Sequence, residues 1–175
     1  MSLKSYLEIF VPLNSNDIWH CDLKKYLSDV DVMWQNAYYH ITMAFIDETP
    51  KDLTKMTRLL EQRFVGFSAP VITFDSLDAF TTPSGIHFIT LTSSTIPKDF
   101  VDFIQNVRHD IIETGAKIKS EFKLHVTLGR VMGDKISLDD LQNRLSEFTL
   151  PPIKLKLTEV DYRIFRGEVF FKTAL

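Results

Sequence analysis

The amino-acid sequence predicts an α+β fold made of two pseudo-symmetric lobes that share one unit and meet at a cleft. Three observations lead there. The order helix, strand, helix, strand, strand occurs twice, with the pattern restarting at Pro97. His40-Ile41-Thr42-Met43 and His125-Val126-Thr127-Leu128 lie 85 residues apart, while Pro70 and Pro152, like Gly85 and Gly167, lie 82 apart. No stretch rich in Gly, Ser or Pro separates the halves, and the period exceeds the roughly 20 to 50 residues of solenoid units.

Each element follows from local pattern. Leu7 to Val11 is a short strand closed by Pro12 and Asn14. Ile18, Trp19, Leu23, Tyr26, Leu27 and Val30 have helical spacing, which predicts a helix over 17–30 with Asn16 as N-cap. Tyr38 to Ile46 reads as a strand bounded by an acidic turn at Asp47-Glu48. Thr49-Pro50-Lys51-Asp52 predicts a helix start, with a capping hydroxyl and proline at the first helical position, and the helix runs to about Phe64. Pro70 to Asp78 and Ile86 to Thr92 form a hairpin about Thr82-Pro83-Ser84-Gly85. Phe100, Phe103, Ile104, Val107 and Ile111 stripe the next helix, which ends near Gly115. Phe122 to Val131 is a strand, Ser137 to Phe148 a capped helix, and Pro152 to Asp161 a strand. Arg166-Gly167 turns into the closing strand Val169 to Thr173.

Composition narrows the function classes. A 175-residue chain with 45% hydrophobic residues buries a core without disulfides or metals, so residues 1–175 read as a single domain. Cys21 is the only cysteine, and no Cys/His zinc spacing occurs. A net charge of −3 leaves no global basic field for a long duplex. The apolar stretch Leu7 to Leu13 is broken by Glu8 and Pro12 and is too short for a signal segment or a membrane span. The expectation is a monomeric, cytoplasmic protein with no membrane association.

The chemistry lies in the two histidine motifs. Residues two apart in a strand share a face, so His40 and Thr42 point together and Ile41, Met43 and Phe45 point away. His125 and Thr127 repeat the arrangement against Val126 and Leu128. One such motif is weak evidence, because a lone strand histidine is more often structural. Two on equivalent strands are expected by chance about once in three hundred sequences of this composition. Two imidazoles and two hydroxyls across a cleft suit phosphoryl transfer without a metal or other cofactor. One imidazole takes a proton from the attacking oxygen, the other gives one to the leaving oxygen, and the hydroxyls donate to phosphate oxygens. Tyr38 and Lys123 each precede a motif histidine by two. They are candidates to stack on a base and to hold a phosphate, and equally to be solvated strand ends. His87 reads as structural, and His20 and His109 as solvated.

These residues resemble the paired His-x-Thr/Ser-x signatures of the 2H phosphoesterase superfamily, which includes the 2′-5′ RNA ligase-like cyclic phosphodiesterases. The resemblance covers nearly the whole chain. It implies two antiparallel sheets facing a central cleft, helices outside, and metal-independent hydrolysis of 2′,3′-cyclic phosphates on RNA ends or nucleotides. The reverse direction would form 2′-5′ RNA linkages. It also implies that Arg130 contacts phosphate, although strict alternation from His125 puts Arg130 on the wrong face unless a bulge or strand end intervenes. His40 and His125 are the expected catalytic pair, and Thr42, Thr127, Arg130, Lys123 and Tyr38 the expected substrate contacts. Two rivals stand beside this reading. One is a module that binds a nucleotide or RNA end without turnover. The other is a metallohydrolase, against which no His-x-His or carboxylate accompanies the motifs on their strands.

Overall fold

The computed structural model describes residues 4–165, 167 and 169–175. Its elements run β1 (Ser5–Val11), α1 (Ile18–Tyr26), β2 (Val32–Trp34), β3 (Tyr39–Glu48), α2 (Leu53–Phe64), β4 (Val71–Phe74), β5 (Ser76–Thr81), β6 (His87–Thr92), α3 (Lys98–Glu113), β7 (Lys117–Ile118), β8 (Val126–Val131), α4 (Leu138–Glu147), β9 (Ile153–Lys156), β10 (Glu159–Ile164) and β11 (Val169–Ala174). They form a five-stranded sheet, β11-β10-β1-β3-β7, a four-stranded sheet, β2-β8-β6-β5, and a small β4-β9 pair. All paired strands are antiparallel.

The duplication is visible in this order, with its boundary shifted. Strands β1 to β5 and β6 to β10, with their helices, form the two copies, so the second begins in the turn before His87 rather than at Pro97. Strand β11 is added at the edge of β10. The copies exchange strands. The sheet that carries His40 takes β1 and β3 from the first copy and β7 and β10 from the second, and the sheet of the second motif takes β6 and β8 from the second and β2 and β5 from the first. Equivalent strands β4 and β9 pair with each other, Val71 opposite Lys156 and Phe74 opposite Ile153, as a local two-fold axis requires.

The inward faces of both sheets and the helical stripes merge into one core that includes Leu7, Ile9, Ile41, Met43, Leu91, Val126, Leu128 and Val160. Helix α3 buries its predicted stripe of Phe100, Phe103, Ile104, Val107 and Ile111. Helix α4 begins as expected, with Ser137 Oγ accepting from the Asp140 backbone N–H. None of the described helices is long and apolar enough to cross a membrane.

Several element boundaries differ from expectation for local reasons. Asp17, not Asn16, caps α1, which ends at Tyr26, and Ile18 is 81% exposed. The chain beyond it is drawn into β2 by pairing with β8. Asp52 caps α2 through the Lys55 backbone N–H, while the Thr49 hydroxyl meets that of Ser5 at 2.7 Å. Glu48 therefore ends β3 rather than forming a turn. The predicted strand 70–78 breaks at Asp75, whose carboxylate accepts from the Ser94 N–H and hydroxyl and from Ser76; these bonds hold it below the usual carboxylate range. Likewise 152–161 divides into β9 and β10, and the strand expected from Phe122 begins only at Val126. Arg166 of the predicted closing turn lies outside the described residues. Its neighbour Gly167 donates its N–H to the Ile164 carbonyl.

Candidate active site

Both motif strands carry a bulge at the same place. Along β1 and β3, Glu8 stands opposite Thr42 and the next pair is Leu7 with Ala44, so Met43 has no partner. Along β6 and β8, Thr90 stands opposite Thr127 and the next pair is Ile89 with Gly129, so Leu128 has none. An unpaired residue reverses the alternation beyond it. Arg130 therefore lines the same cavity as Thr127, which answers the objection that alternation raises. Phe45, expected to face the core, instead lines a cavity beside Thr42.

Two cavities flank the motifs. The larger, about 470 Å³, is bordered by Tyr6, Thr42, Phe45, Phe80, Lys123 and His125, and the smaller, about 250 Å³, by Trp34, Gln35, Thr127, Gly129 and Arg130; Phe88 borders both. The Thr42 and Thr127 side chains are half-buried, and among the described residues neither hydroxyl has a partner. Arg130 rests on Met33, with Nη2 2.9 Å from Sδ, and is exposed.

His125 sits one residue before β8 and is held by the chain leading to it. Its Nδ1 lies 3.0 Å from the Lys123 carbonyl. Thr92 donates to the Leu124 carbonyl, and Arg108 bridges the Met43 and Ser120 carbonyls. Burial lowers the His125 pKa against the Lys123 carbonyl bond, and the nearby charges of Lys123 and His40 lower it further. The edge of the Phe80 ring system meets the imidazole with centroids 5.4 Å apart. Lys123 borders the larger cavity with its side chain 68% exposed and 3.8 Å from Asp78.

His40 has a different setting. Its Nε2 is 3.4 Å from Glu8 Oε1, and its Nδ1 is 3.4 Å from the Tyr38 carbonyl. Tyr38 stands just outside β3 with φ 55°, a left-handed conformation uncommon for a tyrosine. Its hydroxyl, with one proton shared between them, lies 3.1 Å from Glu8 Oε2 and 3.0 Å from Asp161 Oδ2. Arg163 lies 4.1 Å above the Tyr38 ring and pairs with both carboxylates. Burial, then the two carboxylates, push the phenol well above its ordinary value. The half-buried Tyr38 ring packs against His40, Phe10 and Arg163.

Sequence reading singled out the His/Thr pairs, passed over Glu8 and Asp161, and placed Phe45 on the core side. Glu8 did carry a signal, as the one charged residue inside the apolar run Leu7 to Val11. His20, expected in solvent, is fully buried among Trp19, Trp34 and Tyr39. His109 is exposed as expected, and His87 bonds Thr81 at the hairpin end.

Comparisons with known proteins agree with this architecture. Usb1 of Kluyveromyces marxianus, solved with uridine monophosphate, matches with TM-score 0.72 at 12% identity, over 99% of each chain. Escherichia coli LigT, complexed with 3′-AMP, matches with TM-score 0.60 at 19% identity, over 100% of this chain and 96% of that one. The PDE domain of MHV ns2 matches with TM-score 0.60 at 10% identity, over 94% and 99%. No curated protein sequence matches at a comparable level. The family model for the 2′-5′ RNA ligase superfamily matches residues 32–167, which span both motifs and both bulges. With that match and an α+β fold shared with LigT and Usb1, the chain belongs to the 2′-5′ RNA ligase superfamily of two-histidine phosphoesterases.

Proposed function

We propose that this protein hydrolyses 2′,3′-cyclic phosphates on RNA ends or nucleotides without a metal, using His40 and His125 as the acid–base pair. The observation that carries the reading is the matched geometry of the two motifs. Each motif sets an imidazole two residues before a hydroxyl, with the same bulge after each threonine; Thr42 and His125 border the larger cavity and Thr127 the smaller. In the reaction, water gives a proton to one imidazole as its oxygen bonds to phosphorus. The bond from phosphorus to one ribose oxygen breaks, and that oxygen takes a proton from the other imidazole. Thr42 and Thr127 donate to the non-bridging oxygens as charge accumulates there. Arg130 and Lys123 add positive charge at opposite sides of the cleft. The apolar walls at Tyr6, Phe45 and Phe88 suit a nucleobase. That LigT was solved with 3′-AMP and Usb1 with uridine monophosphate fits a nucleotide-sized ligand. With the 5′-hydroxyl of a second RNA in place of water and the 3′ oxygen leaving, the same steps would form a 2′-5′ linkage from the cyclic phosphate.

The test is incubation of the purified protein, in EDTA, with a 2′,3′-cyclic nucleotide and with a short RNA ending in 2′,3′-cyclic phosphate. The expected result is a linear phosphate product, with turnover falling roughly 10²- to 10⁴-fold in His40→Ala and in His125→Ala. Binding without product would overturn the reading in favour of a non-catalytic module, and chelator-sensitive turnover would overturn it in favour of a metal mechanism.

A further inference from the structure

A row of aromatic rings leads out of the larger cavity across the five-stranded sheet, on the face that carries Thr42. Tyr6 on β1 stands opposite Phe45 on β3, with ring centroids 4.7 Å apart, and both half-buried rings border the cavity. On the β10 side of Tyr6 the Phe165 ring follows at 5.7 Å, beyond the residues that border the cavity and 47% exposed. Backbone bonds bring two cations to this row. The Phe165 N–H donates to the Lys4 carbonyl, and the Lys119 N–H to the Phe45 carbonyl, each at 3.0 Å. Lys4 Nζ lies 5.8 Å and Lys119 Nζ 5.2 Å from the centroid of the Phe45 ring. Both lysines are exposed. Lys4 also pairs with Asp47 at 3.3 Å, whereas no carboxylate pairs with Lys119 among the described residues.

We propose that this row is a subsite for the nucleotide preceding the one that bears the cyclic phosphate, so that the substrate is a single-stranded RNA end rather than a free nucleotide. The inference rests on the hydrolytic reading above. Continuity is the first support. An aromatic row left partly in water marks an interaction site more often than a lone exposed ring does, and this row begins inside the cavity that Thr42 and His125 border. Every base has an apolar face that stacks on a ring. A strand whose last base lies against Phe45 therefore sets the preceding base over Tyr6 and Phe165. A cyclic mononucleotide uses the cavity alone and leaves Phe165 in water. Charge is the second support. One phosphate links the two nucleosides, and it must pass the rim where the strand leaves the cavity. Arg108, Lys119 and Lys123 border that cavity against the single carboxylate of Glu121, a local excess of positive charge in a chain whose net charge is −3. Lys119, exposed over the Phe45 ring, meets the linking phosphate.

The test compares a dinucleotide ending in 2′,3′-cyclic phosphate with the cyclic mononucleotide of the same terminal base. In the wild-type protein kcat/KM for the dinucleotide should be about 5- to 100-fold higher, the effect of one stacked base. Phe165→Ser, a change at an exposed ring, should erase most of that advantage through KM and leave the mononucleotide kinetics unchanged. Lys119→Gln should flatten the fall of dinucleotide kcat/KM with salt, the log–log slope shrinking by about 0.7 for one lost phosphate contact. Titration of the wild-type and Phe165→Ser proteins with the corresponding mono- and dinucleotide 3′-monophosphates needs no turnover. It should show the dinucleotide bound more tightly by the wild-type protein and no such preference in Phe165→Ser. A wild-type protein that treats the two ligands alike would overturn the subsite. So would a Phe165→Ser protein that loses both equally, which would mark Phe165 as packing for Tyr6. An unchanged salt slope in Lys119→Gln would overturn the phosphate contact. If the wild-type protein hydrolyses neither cyclic phosphate, the hydrolytic reading fails, and the titration decides the subsite by itself.

Discussion

Phe45 and Arg130 occupy the same place in the two copies. Each lies three residues beyond its motif threonine, past a one-residue bulge, at the wall of a cavity. One is aromatic and the other cationic, so a symmetric scaffold gives its two motif cavities chemically different walls. Phe45→Ala is expected to raise KM for a cyclic nucleotide by about 5- to 100-fold, the loss of one stacking surface, and to weaken discrimination among bases. Arg130→Ala should lower kcat/KM by about tenfold for every base alike. Steady-state kinetics on the four cyclic nucleotides separates the two effects.

Gly129 is required by the approach of β2. A Cβ there would lie 2.8 Å from Val32 Cγ1, 3.1 Å from the Met33 carbonyl oxygen and 3.2 Å from Trp34 Cε3. Gly129→Ala should therefore push β2 from β8 and cost about 1–3 kcal/mol in chemical denaturation. Arg130 follows in sequence, so KM should rise as well.

His20 makes acid stability a readout of one side chain. It is fully buried, neither ring nitrogen has a hydrogen-bond partner among the described residues, and burial, aided by Lys24, pushes its pKa down to about 4. The unfolded chain binds this proton near pH 6.5 and the folded one only near 4. The folded state is thus stabilised fully above pH 6.5 and loses up to about 3 kcal/mol as pH falls through that window. His20→Phe should flatten the fall in Tm between pH 6.5 and 4 while keeping the aromatic packing.

Arg108 ties the two motifs together. Its guanidinium reaches the carbonyl of the bulge residue Met43 and that of Ser120, on the path to His125. Arg108→Met keeps the aliphatic stem and leaves both carbonyls unpaired, at about 1–3 kcal/mol for each that stays buried. Amide exchange should accelerate across residues 119–125, and kcat should fall more than KM rises.

How far the sequence reveals this molecule depends on the range of the forces involved. The α3 stripe and the Ser137 cap are local, and both stand where periodicity and capping place them. The two His/Thr pairs are legible because each needs only a two-residue alternation. The bulges are not, since a bulge is a register relation between two strands, and β1 and β3 are separated by an intervening helix. The facing of Phe45 was therefore misread. Glu8 escaped for a related reason. Its meaning comes from Asp161 and Arg163, which lie about 150 residues further along the chain.

The exchange of strands between the copies bears on ancestry and on folding order. A half-length polypeptide holding one copy could satisfy these pairings only by lending its short second strand and its last strand to another molecule, as a domain-swapped homodimer does. Fusing two such genes would turn a concentration-dependent assembly into a unimolecular one and free each histidine's surroundings to diverge, as Glu8 and Thr90 have. On the ribosome, neither sheet can close on its first copy alone: β1 waits for β10 and β3 for β7, while β2 waits for β8 and β5 for β6. Release of the C-terminal strands, rather than synthesis of the first motif, sets the moment at which the cleft comes into being.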